Sequence, residues 1–252
     1  LVFDSFVLSI DSEFIENPNP DVINMKKQDC EMKAFKRMAI RLKKNFPKLS
    51  FIITGDALYA SGPFIKLCLD NNWDFMFRLK SDKLRTVNQD FDGLIAINSG
   101  SIHKNYFVVN DYQYNQYKFN IIRFIEHIES KKEKTFTFIT SLPVTDNNIK
   151  CLIEMGRRRW KIENHGFNNQ KNILFNISHM CSLNYNAMKV HYFFTQFAHT
   201  IRQLLDFGST LVKVFQGKIK EISFAILNEL ISSHVSVSLN HNFQLRFDML
   251  II

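Results

Sequence analysis

The sequence predicts an α/β fold, a largely parallel sheet interrupted by a β-rich insertion, on three observations. Short apolar runs alternate with amphipathic stretches up to residue 89, residues 90–147 become β-rich and aromatic, and helical spacing resumes at Asn148. The boundaries that follow are 1–89 for the first part of the core, 90–147 for the insertion, 148–207 for the second part and 208–252 for a helical tail.

Taken in order, "FVLSI" (6–10) reads as a buried strand, and the Pro-containing "ENPNPD" as a loop. From Asp29 to Phe46, Met32, Phe35, Met38, Ala39 and Leu42 recur at three and four with Lys and Arg between them, which predicts an amphipathic helix closed by Pro47. "LSFIITGD" (49–56) is strand-like and ends on Asp56; "GPFIKLCLDNN" is a short helix, and "WDFMFRLK" a strand. In parallel sheets ligands gather at the carboxyl ends of strands, where Asp56 falls. Alone, Asp56 reads first as a cap or turn aspartate.

"YFVVND", "YKFNIIRFIEH" and "KTFTFITSL" predict the strands of a small inserted sheet, with Tyr106, Tyr112, Tyr114 and Tyr117 along one face. "NAMKVHYFFTQFAHTIRQLLDF" is apolar around most of its circumference and predicts a long buried helix. "GKIKEISFAILNELISSH" predicts a further helix and "NFQLRFDMLII" an extended end.

With 32 Lys+Arg against 24 Asp+Glu, a net charge of +8 leans toward a polyanionic partner. The four cysteines include no Cys-x-x-Cys, which argues against a zinc ribbon or a dense disulfide framework and fits a reducing compartment. No apolar run reaches the roughly twenty residues of a membrane span.

The densest chemistry lies in "RRRWKIENHGFNNQK" (157–171). At about 100° per residue, Arg159, Glu163, Phe167 and Gln170 share one side, with Trp160 at its edge. The plain reading is an exposed helix pairing its own charges. The alternative is that Glu163 meets Asp56 over the sheet edge. Two such carboxylates would hold hard divalent cations, and Arg157, Arg158, Arg159 and Lys171 would grip phosphates.

"KKQDCEMKAFKRM", "GDALYA" and "GRRRWKIENHGFNNQKN" resemble conserved blocks of the DDE transposases of bacterial insertion sequences, in the cut-and-paste group with a Tyr-x2-Arg-x3-Glu-x6-Lys signature. The resemblance implies an RNase H-like core with a β-rich insertion before the catalytic helix and a helical C-terminal tail. It implies Asp56 and Glu163 as catalytic metal carboxylates and Mg²⁺, with Mn²⁺ as substitute. It further implies Arg159, Lys171, Arg157, Arg158 and Trp160 at DNA, a dimer on two DNA ends, and a nucleoid-associated cytoplasmic location. The reaction implied is metal-dependent phosphodiester hydrolysis at a transposon end followed by strand transfer. The alternative is an inactive remnant that only binds DNA.

The pattern departs from that signature in three places. Gly156 stands where the signature has Tyr, and Gln170 where it has Lys, with Lys171 one residue later. On a regular α-helix Lys171 lies about 80° from Glu163; a π-bulge near Gly166 would swing it back. Asp11 and Glu13 read as turn or sheet-edge residues rather than a first catalytic aspartate, so the chain is expected to hold two of three metal carboxylates.

Overall fold

The computed structural model describes residues 1–4, 6–16, 29–97, 105–128, 132–179 and 181–207, with the single positions 224 and 228. The expected tail helix and extended end lie outside these residues, apart from those two positions. The chain divides into two units, Leu1–Gln203 and Leu204–Ile252. The described architecture belongs to the first.

Among the described residues its elements are, in order, α1 (Glu31–Asn45), β1 (Ile52–Gly55), α2 (Gly62–Asp70), β2 (Asp74–Leu79), α3 (Arg85–Ile97), β3 (Tyr106–Tyr114), β4 (Tyr117–Ile128), β5 (Lys132–Thr140), α4 (Ile149–Lys161) and α5 (Tyr185–Phe207), which runs past the unit boundary. Between α4 and α5 the helix continues in π winding over Ile162–Phe167 and Asn169–Ile173.

All five strands form one mixed sheet in the order β1-β2-β5-β4-β3. Only β1 and β2 are parallel; β5 lies antiparallel to β2, pairing Met76 with Thr140. Two expectations are corrected here: the sheet is not largely parallel, and the β-rich stretch does not make a small sheet of its own. The reason is the free edge of β2, which β5 caps through ladder bonds and through side chains. Thr140 Oγ1 donates to the Phe75 carbonyl at 2.8 Å, and the Phe75 N–H donates to Ser141 Oγ at 3.0 Å. The insertion thus extends the core sheet. The fold class itself, an α/β RNase H-like domain, stands.

Period-two alternation sorts the side chains to the two faces. Phe75, Phe77, Phe119, Ile121 and Ile139 pack with Phe35, Phe64, Trp73 and Phe91 from the α1, α2 and α3 side. Met76, Ile122, Phe124, Phe136 and Phe138 pack with Ile149 and Leu152 of α4. Helix α3 was not anticipated: it buries only Val87 and Phe91 and carries Gly93, so its apolar stripe is thin. Residues 6–10 form no strand; Val7 makes an isolated bridge to Val2.

The acids Asp11 and Glu13 bind α1. Arg41 donates to Asp11 at 3.0 Å and to Glu13, and Arg37 donates to Glu13 at 2.5 Å and to Asp29 at 2.7 Å. Burial alone would raise the Glu13 carboxyl, but these hydrogen bonds outweigh it and hold it below the usual range. Both acids therefore anchor the N-terminal segment to α1.

Helix α5 reverses its expectation. It is not buried all round: Val190, Phe193, Phe194, Phe197 and Ile201 are exposed, while Thr195, Gln196, His199, Arg202 and Gln203 are buried. The apolar circumference was legible, but the polar residues between the phenylalanines are the ones that face inward.

Candidate functional site

Asp56 follows β1 directly. The Leu58 N–H donates to Asp56 Oδ1 at 2.8 Å, and the Tyr59 N–H to the Asp56 carbonyl at 3.1 Å. This is a tight aspartate turn. Gly55 is required beside it, since a Cβ there would sit 2.8 Å from Tyr59 Cβ and 2.9 Å from the Phe77 ring. Behind Asp56, the Tyr59 hydroxyl donates to Glu31 at 2.7 Å. Burial first, then Glu31 and Asp56 nearby, push that phenol well above its ordinary value.

Helix α4 lies against β1 and β2, on the opposite sheet face from α1–α3. Gly156 makes the approach possible. A Cβ at this position would meet the Phe138 ring at 2.8 Å and Met76 Cε at 3.0 Å. At the first departure from the signature, any larger residue would thus require Phe138 and Met76 to shift.

One turn on, Arg159 Nη1 donates to Glu163 Oε1 at 2.6 Å across an exposed i,i+4 pair. The plain reading of the charges is thus realised in the geometry, and it leaves Glu163 accessible. Arg159, Arg157 and Trp160 line a cleft of about 250 Å³ with Arg78, Lys134 and Glu126, floored by Phe136 and Phe138. The Arg78 guanidinium lies 4.8 Å above the centre of the Phe136 ring, and Arg157, also paired with Glu126 at 2.6 Å, lies at 5.9 Å. Burial, and then the charge of Arg159, lower the Arg78 guanidinium from its ordinary value. With four basic side chains, Arg78, Lys134, Arg157 and Arg159, against the one acid Glu126, the cleft lining is net cationic and favours an anion.

Sequence reasoning missed Arg78. Its signal was the alternation of "DFMFRL": Phe75, Phe77 and Leu79 take one face, which leaves Met76 and Arg78 on the α4 face.

The other expected residues divide. Arg157, Arg159 and Trp160, the last half exposed, share the cleft. Arg158 turns away from it, pairing with Asp4 at 2.6 Å and Glu154 at 3.3 Å. Gln170 is not on the side of Glu163 and Phe167. The π winding buries it, and Lys171 is exposed instead. The tyrosines of the insertion do not share one face: Tyr112, Tyr114 and Tyr117 pack against the α1–α3 side of the sheet and Tyr106 against the α4 side.

Among the described residues no three His, Cys, Asp or Glu side chains are grouped to hold a metal ion. Asp56 and Glu163 offer the hard oxygen donors that a divalent cation takes, but by themselves they are an incomplete ligand set. The four cysteines are free, and no described helix is long and apolar enough to cross a membrane.

An acid thus stands at a strand end of the α/β sheet, a second acid on the helix that continues α4, and an arginine-lined cleft against that helix, an arrangement compatible with a nucleic-acid-processing domain. The chain belongs to the transposase DDE domain family, whose pattern it matches over residues 23–201. No curated protein matches it. Transposition of DNA is the activity of that family, DNA its partner and a divalent metal its usual requirement.

Proposed function

We propose that this chain acts on transposon ends, hydrolysing a phosphodiester and then joining the freed 3′ hydroxyl to a second strand. The observation that carries this reading is the cleft of Arg78, Arg157, Arg159 and Lys134 over Phe136, whose Arg159 is paired with Glu163. Guanidinium groups grip phosphate bidentately, and an aromatic floor suits the flat face of a base. Arg159, Arg157, Trp160 and Lys171 are the DNA-facing residues of this reading. Arg158, tied to Asp4, supports the N-terminal segment instead.

Asp56 and Glu163 are the proposed catalytic carboxylates, with Mg²⁺ as the native cation and Mn²⁺ as its substitute. When bound, such a cation supplies Lewis-acid polarisation of a phosphoryl oxygen. Around it, this chain's residues have two tasks. Arg159 neutralises Glu163 until phosphate competes for the guanidinium, and the Leu58 amide fixes the rotamer of Asp56. Dimerisation on two DNA ends belongs to the same proposal.

A second reading, DNA binding without cutting, is favoured by the absence, among the described residues, of any group of three His, Cys, Asp or Glu side chains able to hold a metal ion. Calorimetric titration with Mn²⁺ separates the two. Binding by the parent that is abolished by both Asp56→Asn and Glu163→Gln supports the enzyme. A parent that takes up no Mn²⁺ yet retards DNA supports the binding-only reading.

A further inference from the structure

The helix bearing Glu163 changes its winding immediately after α4. The Asn168 N–H donates to the Glu163 carbonyl and the Leu174 N–H to the Asn169 carbonyl, both i→i+5 bonds. Such winding is rare over more than one turn and needs something to hold it. It also decides which of two neighbours faces outward. At about 4.4 residues per turn, the winding implied by i→i+5 bonding, residue 170 lies about 150° around the axis from Glu163 and residue 171 about 65°. On an α-helix, residue 170 would lie only about 20° from Glu163, on the exposed side, and residue 171 about 80°, so the winding chiefly moves residue 170 inward while residue 171 keeps nearly the same flank.

In the structure Gln170 is 4% exposed. Its side chain and that of Gln196 exchange two amide hydrogen bonds of 2.9 Å each. Gln170 Nε2 also lies 3.0 Å from His199 Nδ1. The cluster continues to Gln203, 3.5 Å from the same ring nitrogen, which accepts from the Val7 N–H at 2.7 Å and donates to the Val7 carbonyl at 2.5 Å. Each amide is satisfied in a buried place that could not hold an unpaired ammonium group. Outside, Asn169 Nδ2 donates to the His165 carbonyl at 2.8 Å, supporting the widened turn.

We infer that Gln170 is a positioning residue: locked to Gln196 and His199 of α5, it holds residues 162–173 in the π register that turns residue 170 inward and leaves Lys171 as the outward residue, on the flank of Glu163 that faces DNA. Gln170, at the signature's lysine position, is then an internal clamp, and Lys171, one residue later, holds the outward place. The inference rests on the proposed DNA-facing role of this helix.

The test is a double-mutant cycle of Lys171→Gln and Gln196→Met, read by binding to a short DNA duplex and by nuclear magnetic resonance. Losing one phosphate contact removes roughly a factor of three to four from the ratio of affinities at 50 and 200 mM salt. Each single variant is expected to show that loss, and the double variant no more than either. The through-hydrogen-bond coupling from Leu174 N–H to the Asn169 carbonyl is expected in the parent and in Lys171→Gln, and lost in Gln196→Met. A coupling that survives in Gln196→Met, or losses that add in the double variant, overturns the clamp. A Lys171→Gln protein with an unchanged salt ratio, combined with a lost coupling in Gln196→Met, keeps the clamp but overturns the role of Lys171, and with it the reading on which the inference rests. Should Gln196→Met fail to fold, Gln196→Glu replaces it, since it keeps the acceptor for Gln170 and removes the return bond.

Discussion

The sheet and the α5 side of the molecule are built on opposite plans. Between α1–α3 and the sheet, Phe64, Phe75, Phe77 and Phe91 are wholly buried with Trp73 nearly so, whereas α5 buries Gln196, His199 and Gln203 and leaves Phe194 and Phe197 about two-thirds exposed. Burying a large apolar side chain contributes about 1.5–3 kcal/mol, against about 0.5–1.5 kcal/mol for a neutral hydrogen bond. The apolar side therefore carries most of the stability. The polar side contributes less of it but is far more selective, because an amide accepts one partner geometry where a phenyl ring accepts many. In this molecule the selective side is the one that touches the helix of Glu163.

Substitutions should divide along the same line. Phe77→Ala removes a fully buried ring from the sheet core and is expected to cost about 3–5 kcal/mol, seen as a large drop in melting temperature. Gly156→Ala places a methyl group against Phe138 and Met76; overpacking of this kind costs about 1–3 kcal/mol, and thermal melts should rank it below Phe77→Ala. If Gly156→Ala is neutral, α4 does not sit on the sheet as closely as described.

The polar side is expected to respond to pH. Burial lowers the pKa of His199 from the ordinary 6.5. The unfolded chain thus takes up the proton first, so this contribution to stability is complete above about pH 6.5 and declines as pH falls toward the folded value. Protonation would also put a donor on Nδ1 facing the Nε2 donors of Gln170 and Gln203. Denaturation measured across that range should show the decline in the parent and a flatter profile in His199→Asn. The smallest effect is expected from Phe197→Ser on the exposed side of α5, within about 0.5 kcal/mol by urea denaturation. A large loss there would show that the face is covered in solution.

Much of this was legible in the residues. The apolar spacing of Phe35, Ala39 and Leu42 marked α1, and the runs around Ile53, Phe75, Ile121 and Phe138 marked strands. The turn after Gly55 placed Asp56 correctly at a strand end. What periodicity does not encode is partner choice. Nothing local says that β5 should close on β2 rather than fold back within its own hairpins. Gln170 shows the same limit more sharply: its burial depends on Gln196, 26 residues away, and a wheel drawn at 100° per residue puts it on the wrong side. Arg78 was hidden for a simpler reason, since a single charge in an apolar strand gives little warning unless the two faces are counted separately.

The joint between β2 and β5 also has a consequence in time. Strands β3, β4 and β5 are joined by short hairpins, one of them turning at Asn115 with φ 52°, so they can pair soon after collapse. The bond from Thr140 to Phe75 spans 65 residues and must wait for a much larger loop to close. Stopped-flow refolding of Thr140→Val should show slower folding with little change in unfolding if that closure is the rate-limiting event, whereas a faster unfolding rate alone would place the joint after the barrier.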